Sequence, residues 1–219
     1  MVVDISAQTV KELRDKTSAG MMDCKKALQE SNGDMIKAME TLRQKGLASA
    51  SKKTHRIATE GLIESYIHIG GKLGVIVEIN CETDFVARRP EFQELAKNIA
   101  MQIAASPSVE FIDSQAIPVE IIEKEKEIES LKDDLATKPR EIKEKIIEGR
   151  IQKRLKELTL LDQFFIRDSS LTIDELLKQT IAKLGENIKV RRFERFILGE
   201  GLQKRQETFS EEVEKMIKK

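Results

Sequence analysis

Leu73-Gly-Val-Ile-Val-Glu-Ile-Asn-Cys-Glu-Thr-Asp-Phe-Val86 holds the transition on which the fold turns. Its first nine residues alternate, placing Leu73, Val75, Val77, Ile79 and Cys81 on one face of a β-strand, the buried face by pattern. Cys81 at the end of that series reads as a small core hydrophobe rather than a nucleophile. Alternation then stops, and the polar and aromatic Thr83-Asp84-Phe85-Val86 leads into Arg88-Arg89 and a helical pattern opening at Pro90. A sheet therefore hands over to a helix at these four residues. Such connections run over the surface and carry a large share of binding residues.

Upstream, Leu62 to Ile69 alternates imperfectly and Gly70-Gly71 supplies a turn, so the strand is the second half of a hairpin. Downstream, Pro90 suits a first helical position, where its missing N–H costs nothing. Phe92, Leu95, Ala96, Ile99 and Ile103 form the apolar stripe of that helix, and Ser106-Pro107 ends it. Residues 118–158 are dense in charge, with apolar residues spaced for two helices separated at Lys138-Pro139. So short a connection predicts antiparallel neighbours, and the repeat is too brief for a sustained coiled coil. Leu160 to Arg167 reads as an extended segment or strand. Ser169 or Ser170 then precedes a helix carrying Ile173, Leu176, Leu177, Ile181 and Leu184, with Gly185 at its end. Val190 to Leu198 reads as a strand with Phe196 and Leu198 on one face and Phe193 and Ile197 on the other; a last helix is expected over Ser210 to Lys218.

Before the hairpin, residues 1–47 read as three short helices. Ser6 is a candidate N-cap; Ile5, Val10 and Leu13 begin an apolar stripe, which Met21, Cys24, Ala27 and Leu28 resume after a break. Asn32-Gly33 marks a turn with Asp34 as the next N-cap. Met35, Ala38, Met39 and Leu42 face inward, and Gly46 is read as the end of the third helix. So small a module has a marginal core and must lean on something else. Residues 48–58 lose periodicity and become polar, which makes them the expected linker, with a core domain over 59–219. Lys52, Lys53 and Arg56 in that linker are read as solvated, with contact to nucleic acid or an acidic partner as the alternative. The fold class is α+β: a three-helix domain, a linker, then an antiparallel sheet packed against helices.

Composition narrows function by exclusion. Lys+Arg and Asp+Glu balance at 38 each, which argues against sequence-independent nucleic-acid binding, where phosphate contacts demand a basic excess. Cys24 and Cys81 are far apart and form no metal or disulfide pattern, so a reducing compartment is expected. No apolar run reaches the length of a membrane span, and the N-terminus lacks the blocks of a secretory signal. No phosphate loop, nucleophile elbow or zinc motif is present, and His55 and His68 stand without neighbouring ligands. No catalytic residue, metal ligand or cofactor is expected. What is left is a partner-binding protein with two candidate contact features: Thr83 to Val86, and Ser18-Ala-Gly-Met-Met22. Of Met21 and Met22 only one can face the small core; the other is free for an adaptable contact, with local packing as the alternative.

At these residues the chain resembles a known family. Leu13-Arg14…Thr17-Ser-Ala-Gly-Met-Met-Asp-Cys-Lys-Lys-Ala-Leu28 resembles the N-terminal signature of elongation factor Ts, and Asn80-Cys-Glu-Thr-Asp-Phe-Val-Ala87 its second signature. Glu148-Gly-Arg150 and Arg192-Phe…Gly199-Glu-Gly201 resemble its later segments. The resemblance implies a guanine-nucleotide exchange factor for elongation factor Tu, with a ubiquitin-associated-like three-helix domain before the core. It implies that Thr83, Asp84, Phe85 and Val86 dislodge the Mg²⁺ held by that GTPase, Asp84 and Phe85 intruding between its helices. It further implies that Arg14, Met21, Met22 and Lys25 contact the GTPase, and that the C-terminal helix reaches another of its domains. Longer members carry a duplicated core subdomain and a protruding coiled coil; here one core copy is shortened or absent. Short members can pair through the core, so the resemblance allows a homodimer or a 2:2 complex. With no transit peptide read at its start and an Ile- and Lys-rich composition, the chain suits a bacterial cytoplasm or a plastid-encoded protein of the stroma. The rival reading is a helical adaptor or an RNA-associated factor using Lys52, Lys53 and the Arg150 region.

Overall fold

The computed structural model describes residues 5–17, 19–132, 134 and 139–202. The alternating stretch becomes the centre of a three-stranded antiparallel sheet. β2 (Leu73–Cys81) lies between β1 (Glu60–Ile67), its hairpin partner, and β5 (Lys189–Ile197), which returns from late in the chain. Val75, Val77, Ile79 and Cys81 are wholly buried, as their spacing predicts. The long helix α5 (Pro90–Ala105) covers that face, burying Phe92, Leu95, Ala96, Ile99 and Ile103 against it. Each large apolar side chain removed from water here contributes about 1.5–3 kcal/mol, so this layer is the chief stabiliser of the core. In β1, Gly61 stands opposite Asn80 with φ +145°.

β5 is less regular than its pattern suggests. A register shift opposite Glu78 and Ile79 leaves Arg191 as the extra residue of a bulge, since Glu78 pairs with Arg192 and Ile79 with Val190. Arg191 and Arg192 therefore both reach Glu78, at 2.8 and 2.7 Å. Their hydrogen bonds hold its carboxyl down at about 2. Phe193 packs partly buried against the core, but Ile197 is exposed rather than sharing its burial. Arg195 turns inward and its guanidinium donates to the carbonyls of Ile103, Ser106, Pro107 and Val109, satisfying the loose C-terminal end of α5. The opposite face of the sheet keeps Ile63, Ile67, Ile76 and Phe196 exposed to solvent.

Three helices precede the sheet: α1 (Ala7–Thr17), α2 (Met21–Glu30) and α3 (Met35–Lys53). The Ser6 hydroxyl accepts from Thr9 N–H, and the Asp34 carboxylate accepts from Ile36 and Lys37 N–H, so both expected caps are made. Val10, Leu13, Cys24, Ala27, Leu28, Ala38 and Leu42 form a small core of their own. Gly46 does not end the third helix. α3 runs on to Lys53, and its second half packs on α8 (Ile173–Leu184), with Ala50 fully buried in the main core. A Cβ at Gly46 would stand 3.2 Å from that of Ala182, so the glycine sets a close approach of two helices instead of a stop. Residues 48–53 of the expected linker are thus the solvated side of a helix whose other side is held by Ala50, and residues 54–59 connect that helix to β1. A cleft of about 510 Å³, lined in part by Thr17, Gly20, Arg43, Gln179 and Lys183, opens beside this contact.

The two helices expected within residues 118–158 are α6 (Val119–Ser130) and α7 (Arg140–Leu158). Arg150 reaches Glu129 at 3.5 Å and Arg154 reaches Glu125 at 3.6 Å. Rising numbers on one helix meet falling numbers on the other, so the pair is antiparallel. α6 buries no residue and α7 only Ile151 and Leu158. Leu160 to Arg167 is an extended segment only in part: β3 (Phe164–Phe165) forms a short hairpin with β4 (Asp168–Thr172). The side chain of Gln102 on α5 secures it, donating to Phe164 O and accepting from Ile166 N–H. α8 starts after Thr172 rather than after Ser169 or Ser170. Thr172 and Glu175 form a reciprocal capping box, which the two serines, in β4, cannot make. Gly185 closes the helix in the left-handed conformation, as expected. The helix expected over Ser210 to Lys218 lies outside the described residues.

Candidate functional site

Where β2 ends, the backbone N–H groups of the next residues lose their ladder partners. Glu82 and Thr83 donate theirs instead to one carboxylate oxygen of Glu186, at 3.1 and 3.0 Å. The Thr83 hydroxyl donates to the other oxygen at 2.7 Å. Thr83 is also the N-cap of a one-turn helix, α4 (Asp84–Ala87), its hydroxyl accepting from Val86 N–H at 3.4 Å. Val86 and Ala87 turn into the core. Phe85 is left outside, 78% exposed. Asp84 beside it is paired with Arg88 at 2.8 Å, one turn along.

These four residues thus divide the work. Thr83 and Val86 anchor the turn, while Asp84 and Phe85 are displayed. An exposed aromatic ring costs hydration free energy that a partner would recover, and this one sits on backbone held at both ends. Cys81 just before it is fully buried and donates its thiol to Thr83 O at 3.1 Å. Burial, with the nearby Glu186 charge, pushes that thiol up to about 11, so it is neutral at physiological pH and no nucleophile.

The second group lies on the helical module. Arg14 on α1 and Met21, Met22 and Lys25 on α2 are all exposed. The expectation that one of the two methionines faces the core is not met: Met21 is 43% and Met22 75% exposed. Cys24 fills the core position of that turn, leaving both methionines on the outside. Met21 and Met22 stand four and three residues before Lys25, so the three form one patch. Thr83–Val86 comes after α3 in the chain, at the end of β2.

Spacing alone does not single out Glu186 and Asn187, and the structure makes them the supports of the turn. Asn187, 3% exposed, donates its backbone N–H to Glu82 at 2.6 Å and its amide to Thr54 O and Arg56 O at 3.3 and 2.7 Å. The signal in the chain is faint: two polar residues after a helix-ending glycine. Their partners lie more than a hundred residues away, beyond the reach of any periodicity.

Among the described residues no three His, Cys, Asp or Glu side chains gather as a metal site, and no helix is long and apolar enough to cross a membrane. The family model described as "Elongation factor TS" matches residues 2–200. Over its whole length the chain is 73% identical to all of the protein named "Elongation factor Ts, chloroplastic" from Guillardia theta, and 74% identical to all of that from Rhodomonas salina. "Elongation factor Ts" from Rippkaea orientalis is 64% identical over 212 residues, 97% of this chain and 85% of that protein. A helical module carrying the exposed methionine pair, followed by a sheet whose central strand ends in the displayed Asp84-Phe85, is what those matched residues build: the chain belongs to the elongation factor Ts family.

Proposed function

We propose that the protein releases GDP from elongation factor Tu by inserting Asp84 and Phe85 beside the nucleotide site, while Arg14, Met21, Met22 and Lys25 hold the GTPase. Membership of the family makes it a nucleotide exchange factor for elongation factor Tu in translation elongation. Its relatives named as chloroplastic, together with the cyanobacterial ones, are consistent with a plastid stroma or a bacterial cytoplasm. The mechanism is our reading, and the observation that carries it is the exposure of Phe85 on a turn tied down by Glu186.

The physics is that of linkage. GDP is held partly through Mg²⁺, which neutralises phosphate oxygens. A factor that binds the nucleotide-free GTPase more tightly than the loaded one weakens nucleotide by the same factor that nucleotide weakens it. Rates change; the ratio of GTP to GDP sets direction. Burial of Phe85 in the partner supplies about 1.5–3 kcal/mol to distort the packing around the metal. Asp84, a like charge to the phosphates, engages donors of the GTPase once it leaves Arg88. No bond is made or broken by this chain, so it acts as a binding protein and needs no cofactor. The test is stopped-flow release of fluorescent GDP from elongation factor Tu with and without the protein. Acceleration is expected; unchanged release, with salt-sensitive RNA binding in its place, favours the rival reading.

Replacing Met21 and Met22 together by alanine should weaken complex formation by about tenfold or more, with a smaller effect on the maximal exchange rate. Titration calorimetry with unchanged affinity would remove both residues from the interface.

The assembly we propose is a homodimer closed through the outer face of the sheet, giving a 2:2 complex. Ile63, Ile67, Ile76 and Phe196 are exposed on that face, and a two-fold contact needs only one self-complementary patch. Light scattering should then give about twice the 24.9 kDa of one chain. A monomeric mass at working concentration rejects it.

A further inference from the structure

The loop between α8 and β5 touches both halves of the molecule. Gly185, in the left-handed conformation, turns the chain so that Glu186 faces the end of β2 and Asn187 faces the end of α3. Glu186 accepts three hydrogen bonds from the two residues that precede Asp84: both backbone N–H groups and the Thr83 hydroxyl. Asn187 takes the carbonyls of Thr54 and Arg56 with one amide and the Glu82 carboxylate with its backbone. Arg56 closes the ring, its guanidinium 3.4 Å from the same Glu82 oxygen.

We propose that Glu186 is a positioning residue for the exchange reaction: it fixes the backbone from which Asp84 and Phe85 project, and through Asn187 it joins that turn to the end of α3. In this role Glu186 acts through the backbone of Glu82 and Thr83 and need touch neither nucleotide nor partner. Two of its contacts take up backbone N–H groups beyond the ladder that ends at Cys81, so without it Glu82 and Thr83 N–H would turn to water and the α4 turn would lose its direct tie at Thr83 to the α8–β5 loop. A wedge works only if the element carrying it does not yield, since a misplacement of about 1 Å can cost a hundredfold in rate. The Asn187 bonds add a second property. They tie the wedge to the end of α3, the helix on which α2 with its methionine patch packs, so both contact surfaces are referred to one frame. This inference rests on the wedge reading of Phe85.

The experiment compares Glu186→Ala, Glu186→Gln, Phe85→Ala and the double variant Glu186→Ala/Phe85→Ala in GDP release from elongation factor Tu. It adds amide hydrogen exchange of the free proteins and thermal midpoints. Glu186→Ala should lower the maximal exchange rate at least about tenfold, with little change in affinity, and should raise amide exchange at Glu82 and Thr83. Glu186→Gln should stay within about threefold of the wild type, because its amide oxygen still accepts from both N–H groups. The double variant should be no slower than Phe85→Ala. Should Glu186→Ala fail to fold, Thr83→Val removes the 2.7 Å bond from the other side. Protected amides in Glu186→Ala, a glutamine variant as slow as the alanine one, or effects that multiply in the double variant would each overturn the positioning role. Phe85→Ala at the wild-type rate would instead overturn the wedge reading, whatever the amides show.

Discussion

Phe85→Ala should leave the protein folded and cut stimulated GDP release from elongation factor Tu by about 10- to 100-fold. The stability side follows from burial. Phe85 is 78% exposed, so removing its ring opens no cavity, and Val86 and Ala87 still anchor α4. The exchange side follows from what the ring gains in the complex: transfer of a Phe from water to a packed site is worth about 1.5–3 kcal/mol. That free energy is available only where the GTPase has opened to admit it. Its loss should fall on the maximal rate more than on initial docking, which we propose to rest on the α1 and α2 surface. Stopped-flow release measured over a range of exchange-factor concentrations separates the two. A variant with wild-type plateau and wild-type midpoint would show that the ring is not the wedge.

Gly61→Ala should destabilise the fold by about 3 kcal/mol or more. Gly61 sits in β1 opposite Asn80, at φ +145°, a conformation that side chains rarely adopt. An added Cβ would lie 2.1 Å from Ile79 O and 2.8 Å from Asn80 Cα, both backbone atoms of the central strand. Neither can move without disturbing β2, and β2 is the strand on which α5 packs. The strain would fall two residues from Cys81, just before the turn that carries Phe85, so on the proposed mechanism activity should drop along with stability. Urea denaturation monitored by circular dichroism reads the loss directly. A midpoint within experimental scatter of the wild type would mean that β1 slips aside at no cost.

Period-two spacing made β2 legible, and 3.6-residue spacing did the same for α5 and α8, because one face of each is pressed into the same core. The end of α3 was not legible. Ser49, Ser51, Lys52 and Lys53 have the composition of a linker, and only the partner helix reveals that Ala50 is buried between them. The bulge at Arg191 was equally hidden, since an unpaired residue changes no composition. For the candidate site, the chain displayed Phe85 as an odd aromatic on a connector, and the family resemblance gave it a partner. Glu186 stayed silent because its role exists only when β2 and the α8–β5 loop meet.

The close packing of Gly46 on Ala182 has a further consequence. Because α3 is continuous from Met35 to Lys53, the helical module and the core are related by helix phase rather than by slack chain. Each residue of that helix advances about 1.5 Å and turns about 100°. The distance and angle between methionine patch and phenylalanine are therefore a quantised property of the chain, set by how many residues lie between Leu42 and Ala50. The solvent-facing side chains along that stretch can change without disturbing the packing of Gly46 and Ala50, but a gain or loss of one residue would swing the methionine pair about a quarter-turn relative to Phe85. The segment that looks most dispensable in composition is the one whose length is least negotiable.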